Sequence, residues 1–172
     1  MTHAVEQIVA ALGSWRADGI PLVVAIDGHG AAGKTTIAGK VAIAVDATSI
    51  HMDDYFHDAR ETGDPRPMAQ YYAWHALREQ ALEPAIRHFR EHPAVWPTPP
   101  LILVEGVSSA APALADLVDR TVFVSTPKPL RLERLHARVS DEEWDEEWLY
   151  AERLYFASRP PDSFDLVVSG VA

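Results

Sequence analysis

The feature that most restricts the fold of this chain is an apolar segment that leads through a glycine-rich loop into a helix. Residues 22–26 (LVVAI) form a short run rich in branched side chains, typical of a strand buried on both faces of a parallel sheet. The loop that follows, residues 28–36 (GHGAAGKTT), matches the spacing Gly, four residues, Gly-Lys-Ser/Thr. Residues 35–45 then have the pattern of a helix. This succession predicts an α/β fold with the loop at the end of a core strand.

The residue types of this loop indicate that it binds phosphate. Glycines let the backbone turn so that successive N–H groups point at anionic oxygens, and the positive end of the helix dipole faces the same place. Lys34 can bridge the β- and γ-phosphates of a nucleotide, and the Thr35 hydroxyl can hold Mg²⁺. We therefore predict a nucleoside triphosphate site made of Gly28, His29, Gly30, Ala31, Ala32, Gly33, Lys34, Thr35 and Thr36.

Apolar runs and helical stretches continue to alternate along the chain. The further runs lie at 48–51, 101–104, 121–124 and 166–168, and the helical stretches at about 5–15, 73–90, 112–117, 129–139 and 142–157. This alternation predicts a three-layer α/β/α domain around a mostly parallel sheet of five strands. The first strand is expected to be central, because it is apolar and precedes the phosphate loop. We predict a single domain over residues 1–172, with a short helical lid at about 129–150.

The composition restricts the partners of the protein. The chain has no cysteine, which excludes disulfides, thiolate metal sites and cysteine nucleophiles. Its formal charge of −10 argues against a general nucleic-acid binder, which needs a basic surface. No run approaches the roughly 18 apolar residues of a membrane span, and residues 1–19 do not have the pattern of a signal peptide. We therefore expect a cytoplasmic protein that binds neither nucleic acid nor membranes, with its oligomeric state open.

Carboxylates follow two of the predicted strands, where ligands of open parallel sheets bind. Asp53 and Asp54 come directly after the second strand, and one of them could accept a hydroxyl proton or, equally, cap a helix. Glu105 ends the third strand, where a buried carboxylate is costly unless it is paired or near a metal. We predict that Glu105 positions Mg²⁺ together with Thr35, and the alternative is that it only accepts bonds from loop amides.

Three arginines recur at three- and four-residue spacing on one predicted helix face: Arg131, Arg134 and Arg138. They could form a solvated face paired with the acidic residues of 141–147. They could also form a lid that places cations over the transferring phosphate. Downstream of a phosphate loop we favour the lid, in which Arg134 and Arg138 neutralise developing charge and Arg131 contacts the nucleotide. We expect the aromatic residues at 71, 72, 74, 144, 148, 155 and 156 to serve mainly in packing.

These motifs resemble the uridine kinase-like family of P-loop kinases, which includes nicotinamide riboside kinase, phosphoribulokinase and pantothenate kinase. Residues 26–36 are similar to its phosphate loop, 52–56 (MDDYF) to its aspartate-containing aromatic motif, 103–106 to the strand whose Glu lies near the metal, and 122–138 to its arginine-bearing lid segment. The resemblance implies ATP and Mg²⁺ as cofactors, with Asp53 as the catalytic base. It also implies an acceptor site made of Asp53, Asp54, Tyr55, Phe56 and Trp74.

The chain departs from the family pattern at two places. Val139 follows Arg138 where the family usually has Asp, and residues 64–67 (DPRP) stand where uridine kinases carry an Asp-His-Pro stretch that helps to read the nucleoside. The activity implied is transfer of the γ-phosphoryl group of ATP to a hydroxyl of a small metabolite, with a nucleoside favoured. Two alternatives stay open: a regulatory NTPase that hydrolyses without an acceptor, and a nucleotide-binding protein without turnover.

Overall fold

A parallel sheet forms the centre of the protein in the computed structural model, which describes residues 2–16, 21–56, 67–92, 100–137 and 146–171. The strands in these ranges are β1 (Leu22–Asp27), β2 (Thr48–His51), β3 (Leu101–Glu105), β4 (Arg120–Ser125) and β5 (Leu166–Ser169). Their order in the sheet is β2-β3-β1-β4-β5, and every pairing is parallel. The five parallel strands and the central position of β1 are confirmed.

Helices cover both faces of this sheet. They are α1 (His3–Trp15), α2 (Lys34–Val45), α3 (Trp74–Leu77), α4 (Glu83–Glu91), α5 (Lys128–His136) and α6 (Glu146–Ser158). A π-helical turn, Arg78–Leu82, joins α3 to α4. The wider turn ends two residues before Pro84, which has no N–H to continue a regular helical ladder. None of the described helices is both long and apolar enough to cross a membrane.

One predicted helix is much shorter in the structure. The stretch 112–117 contains only a 3-10 turn, Pro112–Leu114. The chain has no room for a further helical turn because Asp119 is already bound to the sheet. Its N–H donates to the Val23 carbonyl, and its carboxylate accepts the Val23 N–H at 2.9 Å.

The alternating side chains of β1 divide the interior into two apolar cores. Leu22, Val24 and Ile26 pack with residues of α1 and α2 on one face. Val23 and Ala25 pack with residues of α3, α4 and α6 on the other. Successive side chains of a strand point to opposite faces, so a strand that is apolar throughout needs cover on both. The predicted three-layer α/β/α arrangement is therefore confirmed.

The strand order brings distant segments together at one edge of the sheet. Glu105, at the end of β3, lies opposite Ile26 of β1 on one side and His51 of β2 on the other. The phosphate loop leaves β1 at this edge, and the segment with Asp53 leaves β2. Crevices outside the carboxyl ends of parallel strands are where open α/β sheets bind ligands.

Candidate active site

The phosphate loop needs glycine at two of its turns. Gly28 has φ +148°, and a Cβ placed there would lie 2.6 Å from the Val124 carbonyl oxygen. Gly33, which precedes the first residue of α2, has φ +96°. Side chains other than glycine rarely adopt such angles, so these positions let the backbone enter α2 with its N–H groups directed into the loop.

Lys34 is held inside the loop by its own backbone. Its Nζ donates to the carbonyls of Gly28 and His29, each at 2.8 Å, and the residue is only 7% exposed. Burial lowers the pKa of Lys34, because the charged form loses its hydration, while nearby carboxylates oppose this shift. These carboxylates belong to Asp27, Glu105, Glu152 and Asp53. The ammonium group therefore lies where several acidic side chains converge.

Glu105 links the first turn of α2 to the end of β2. Thr35 Oγ1 donates to Glu105 Oε2 at 3.2 Å, and His51 Nδ1 lies 2.7 Å from Glu105 Oε1. Glu105 is 2% exposed, so both carboxylate oxygens are used inside the protein. The sequence did not single out His51, since its place beside Glu105 depends on the strand order.

The Thr35–Glu105 pair has the chemistry expected of a Mg²⁺ site. Hydroxyl and carboxylate oxygens are hard ligands, and Mg²⁺ is usually held by one or two of them together with substrate phosphates and water. Among the described residues, no group of three or more acidic, histidine or cysteine side chains could hold a metal by itself. The donor set thus fits a metal bound jointly with a nucleotide, and the metal roles of Thr35 and Glu105 stay predictions.

Asp53 lies in the 3-10 turn Met52–Tyr55 that directly follows β2. Tyr72 Oη donates to Asp53 Oδ1 at 3.0 Å. Burial and the neighbouring Asp53 charge raise the pKa of Tyr72, so the phenol keeps its proton and acts as a donor. From its sequence position Tyr72 was expected mainly to pack, and no local pattern shows that it reaches Asp53.

Aromatic rings form a wall beside Asp53. Phe56 is 54% exposed, and its ring lies 5.8–6.3 Å from those of Tyr71, Tyr72 and Trp148. The Tyr71 and Trp148 rings are 5.0 Å apart in an edge-to-face arrangement. An exposed ring backed by others that hold it in place offers a flat surface to a ligand.

The other residues predicted to bind the acceptor lie at different depths. Asp54 is exposed, and Tyr55 is half-buried, with its carbonyl accepting the Ala73 N–H. Trp74 is 6% exposed in the core, and its indole N–H donates to Ser108 Oγ at 3.2 Å. The structure therefore brings Asp54 and Phe56 to the surface near Asp53 and places Trp74 in the core, and their binding roles stay predictions.

Two of the three predicted lid arginines lie against the phosphate loop. Arg131 is buried, with Nη1 3.6 Å from Glu152 Oε2. Arg134 donates to the carbonyls of Ala31, at 3.3 Å, and Gly170, at 3.2 Å. Arg138 and Val139 lie outside the described residues, as do residues 141–145 of the acidic run. The action of this segment as a lid stays a prediction.

Asp27 ties the phosphate loop to two other parts of the chain. It is fully buried and accepts hydrogen bonds from the N–H groups of Gly28, Ser108 and Ala110 and from the hydroxyl of Tyr155. Burial raises the pKa of Asp27, and these bonds act in the opposite direction. Asp27 is thus a structural acceptor beneath the site, and Tyr155 connects it to α6.

Replacing Tyr155 by Phe is expected to lower the free energy of unfolding by about 1–3 kcal/mol, because buried Asp27 loses a donor at 2.6 Å. The measurement is urea denaturation followed by circular dichroism. Tyr150→Phe is the matched control, since Tyr150 is exposed on the same helix and should change stability by no more than about 0.5 kcal/mol. Equal stability of the two variants would contradict a stabilising Tyr155–Asp27 bond.

Comparisons with solved structures find proteins of a similar fold. No protein-family model matches the sequence, and no curated protein sequence matches it either. A solved structure of a candidate uridine kinase from Bacillus stearothermophilus is similar, with a TM-score of 0.66 and 18% identity over 95% of this chain and 96% of that one. A candidate fructose transport system kinase from Silicibacter gives a TM-score of 0.61 and 17% identity over 98% and 99%. The protein TT1252 from Thermus thermophilus gives 0.53 and 21% over 89% and 90%.

These likenesses extend over nearly the full length of each pair of chains, so they describe the whole α/β/α arrangement and not a shared loop alone. Because the identities are only 17–21%, the likenesses establish the fold and do not identify an acceptor. Together with the strand order and the phosphate loop, they lead to one conclusion. This chain has the fold of a uridine kinase-like P-loop kinase.

Proposed function

We propose that the protein is an ATP- and Mg²⁺-dependent phosphotransferase, which moves the γ-phosphoryl group to a hydroxyl of a small metabolite and prefers a nucleoside as acceptor. The observation that carries this proposal is the convergence of different groups at one edge of the sheet. Lys34 supplies a cation and the loop N–H groups supply hydrogen-bond donors, and the Thr35–Glu105 pair offers oxygen ligands. Asp53 contributes a carboxylate from the neighbouring strand end. Phosphoryl transfer requires this combination of cations, metal ligands and a group that orients the acceptor.

The phosphate side of the reaction is assigned to the loop and to α5. Lys34 and the N–H groups at the start of α2 hold the β- and γ-phosphates, and Thr35 with Glu105 would hold Mg²⁺. Bound there, Mg²⁺ would neutralise phosphate charge. Arg131 and Arg134 lie at the outer side of the loop, where a guanidinium can stabilise negative charge on the transferring group.

The acceptor side is assigned to Asp53. Tyr72 donates to one of its carboxylate oxygens, Oδ1, which orients the group and leaves Oδ2 for the acceptor hydroxyl. A carboxylate at hydrogen-bond distance can direct the hydroxyl oxygen toward the phosphorus and take its proton as the new bond forms.

The aromatic wall supports a nucleoside over other acceptors. An exposed Phe56 ring beside Asp53 can stack on a planar base, while Asp53 reaches the hydroxyl of the attached sugar. One similar structure is described as a candidate uridine kinase and another as a candidate kinase of a fructose transport system, so a free sugar is the competing acceptor class.

A panel of acceptors assayed with Mg-ATP tests the proposal. We expect release of ADP to require an acceptor and to be fastest with a nucleoside such as uridine, cytidine or nicotinamide riboside, compared with pantothenate or a hexose. 5′-Deoxyuridine is the matched control, because it keeps the base and lacks the primary hydroxyl. Release without any acceptor would indicate a regulatory NTPase, and nucleotide binding without release would indicate a binding protein. Faster turnover of a hexose would contradict the choice of a nucleoside as acceptor but not the phosphotransferase activity.

A further inference from the structure

One face of helix α6, with polar and aromatic side chains, lies against the candidate active site. Trp148, Glu152 and Tyr155 are spaced four and three residues apart, so they share a helix face, and all three are buried. Trp148 packs on Tyr71 of the aromatic wall, and Tyr155 binds Asp27 at the end of β1. Glu152 lies between them, against the phosphate loop.

Glu152 contacts the loop and α5 at the same time. Its Oε1 accepts the Gly30 N–H at 2.5 Å, across 122 positions of sequence. Its Oε2 lies 2.9 Å from His29 Nδ1, which is not aligned for a hydrogen bond, and 3.6 Å from Arg131 Nη1. The carboxylate therefore joins α6, the first half of the phosphate loop and the arginine-bearing helix.

The charge of Glu152 is retained although the residue is only 4% exposed. Burial raises the pKa of Glu152, but His29, the Gly30 N–H and Arg131 together lower it further, so that it lies below its ordinary value. A buried carboxylate without partners would destabilise the fold, which indicates that these partners are what keeps it there.

Arg131 keeps donors for another anion while Glu152 holds it. Its Nη1 is beyond hydrogen-bond distance from Glu152, and its buried Nε has no hydrogen-bond partner among the described residues. A guanidinium carries five N–H donors, and one weak ion pair orients it without using them. Since Arg131 begins the arginine-bearing face of α5 next to His29 and Gly30, its free donors lie beside the phosphate loop.

We propose that Glu152 is a positioning residue, which holds Arg131 and the His29–Gly30 edge of the loop so that Arg131 meets the terminal phosphate of the nucleotide. This inference rests on the proposed function, because it assumes that the loop binds a nucleoside triphosphate. Glu152 itself touches no reacting atom, and it acts through the guanidinium that it orients.

The test compares the binding of ADP and of a non-hydrolysable ATP analogue, measured by calorimetry with Mg²⁺. The wild-type protein should prefer the triphosphate analogue, since only this ligand has the terminal phosphate. Glu152→Gln keeps an acceptor for the Gly30 N–H but removes the charge that orients Arg131. We expect it to lower the ratio of the affinity for the triphosphate analogue to that for ADP, the triphosphate preference, about fivefold. Glu133→Gln, the same change at an exposed position of α5, should leave the preference unaltered.

A double-mutant cycle shows whether Glu152 acts through Arg131. We expect Arg131→Ala to narrow the triphosphate preference at least as much as Glu152→Gln, and the double variant to be no worse than Arg131→Ala alone. A merely structural role would weaken both ligands alike and leave their ratio unchanged. The proposal would be overturned if the effects of the two substitutions on the affinity ratio were fully additive. It would also be overturned if the ratio of Glu152→Gln lay within about twofold of that of the wild type, or if the wild type did not prefer the triphosphate analogue.

A substitute variant and a measurement that needs no acceptor keep the result interpretable. If Glu152→Gln loses its cooperative thermal transition, Glu152→Asp replaces it, because it keeps the charge on a stem one methylene shorter and should also narrow the preference. The ratio needs no acceptor, so an acceptor panel without turnover would overturn the proposed function and leave this comparison to decide the role of Glu152.

Discussion

Replacing Lys34 by Ala is expected to lower the rate of phosphoryl transfer about 100- to 1,000-fold, because the developing charge on the transferring group loses its buried cation. The residue is placed for this role by its position inside the loop, near several carboxylates. Initial rates of ADP formation at saturating acceptor give kcat, and calorimetry with Mg-ATP gives the affinity for the nucleotide, which should also fall.

Lys40→Ala is the matched control for this variant. Lys40 lies on the same helix, α2, and is exposed, so its removal changes the charge of the protein equally without touching the loop. It should keep the activity of the wild type. A Lys34→Ala protein that folds, as judged by its melting transition, and turns over as fast as Lys40→Ala would contradict the role of Lys34.

Replacing Asp53 by Asn is expected to lower kcat about 100- to 10,000-fold, the range over which a positioned general base acts. Asn has nearly the same shape and can still accept the Tyr72 hydroxyl bond, but it cannot take the acceptor's proton. The KM for ATP should stay close to its wild-type value, because the nucleotide is bound by the loop and not by Asp53. Steady-state kinetics with varied ATP and varied acceptor separate these quantities.

Asp46→Asn is the control for the loss of one carboxylate. Asp46 directly follows α2 at the surface with φ +53°, a conformation that Asn adopts readily, so activity and stability should be retained. If the kcat of Asp53→Asn stayed within a few-fold of that of Asp46→Asn, Asp53 would not be the base. The rate would then have to come from ordering of the acceptor hydroxyl by the aromatic wall and the phosphate loop.

Local patterns predicted most of the elements because local forces form them. The boundaries of β2 agree with the predicted run at 48–51. β3 and β5 are one residue longer than predicted, and β4 is one residue longer at each end. β3 and the middle of β4 are apolar runs that only a covered sheet can bury. The helix predicted over 112–117 does not form beyond a short 3-10 turn, and the reason is nonlocal, since Asp119 is bound to Val23 of a strand distant in sequence.

The candidate site was predicted unevenly for the same reason. The phosphate loop could be identified because its chemistry needs particular residues at consecutive positions, 28–36. Residues His51, Tyr72 and Glu152 were not singled out, and each contacts its partner across 19 to 122 positions of sequence. Tyr72 was expected mainly to pack, and His51 and Glu152 had no expected role, because no local pattern shows such distant partners.

The sequence by itself determined the succession of apolar strands and helices and the phosphate loop between β1 and α2, because periodicity and glycine geometry act between neighbours in the chain. Only the tertiary structure decided that β3 lies between β1 and β2, which sets Glu105 beside Thr35 and His51. It alone also decided that α6 crosses the loop and brings Glu152 to Gly30. Such contacts depend on how whole layers pack, and no short stretch of residues encodes them.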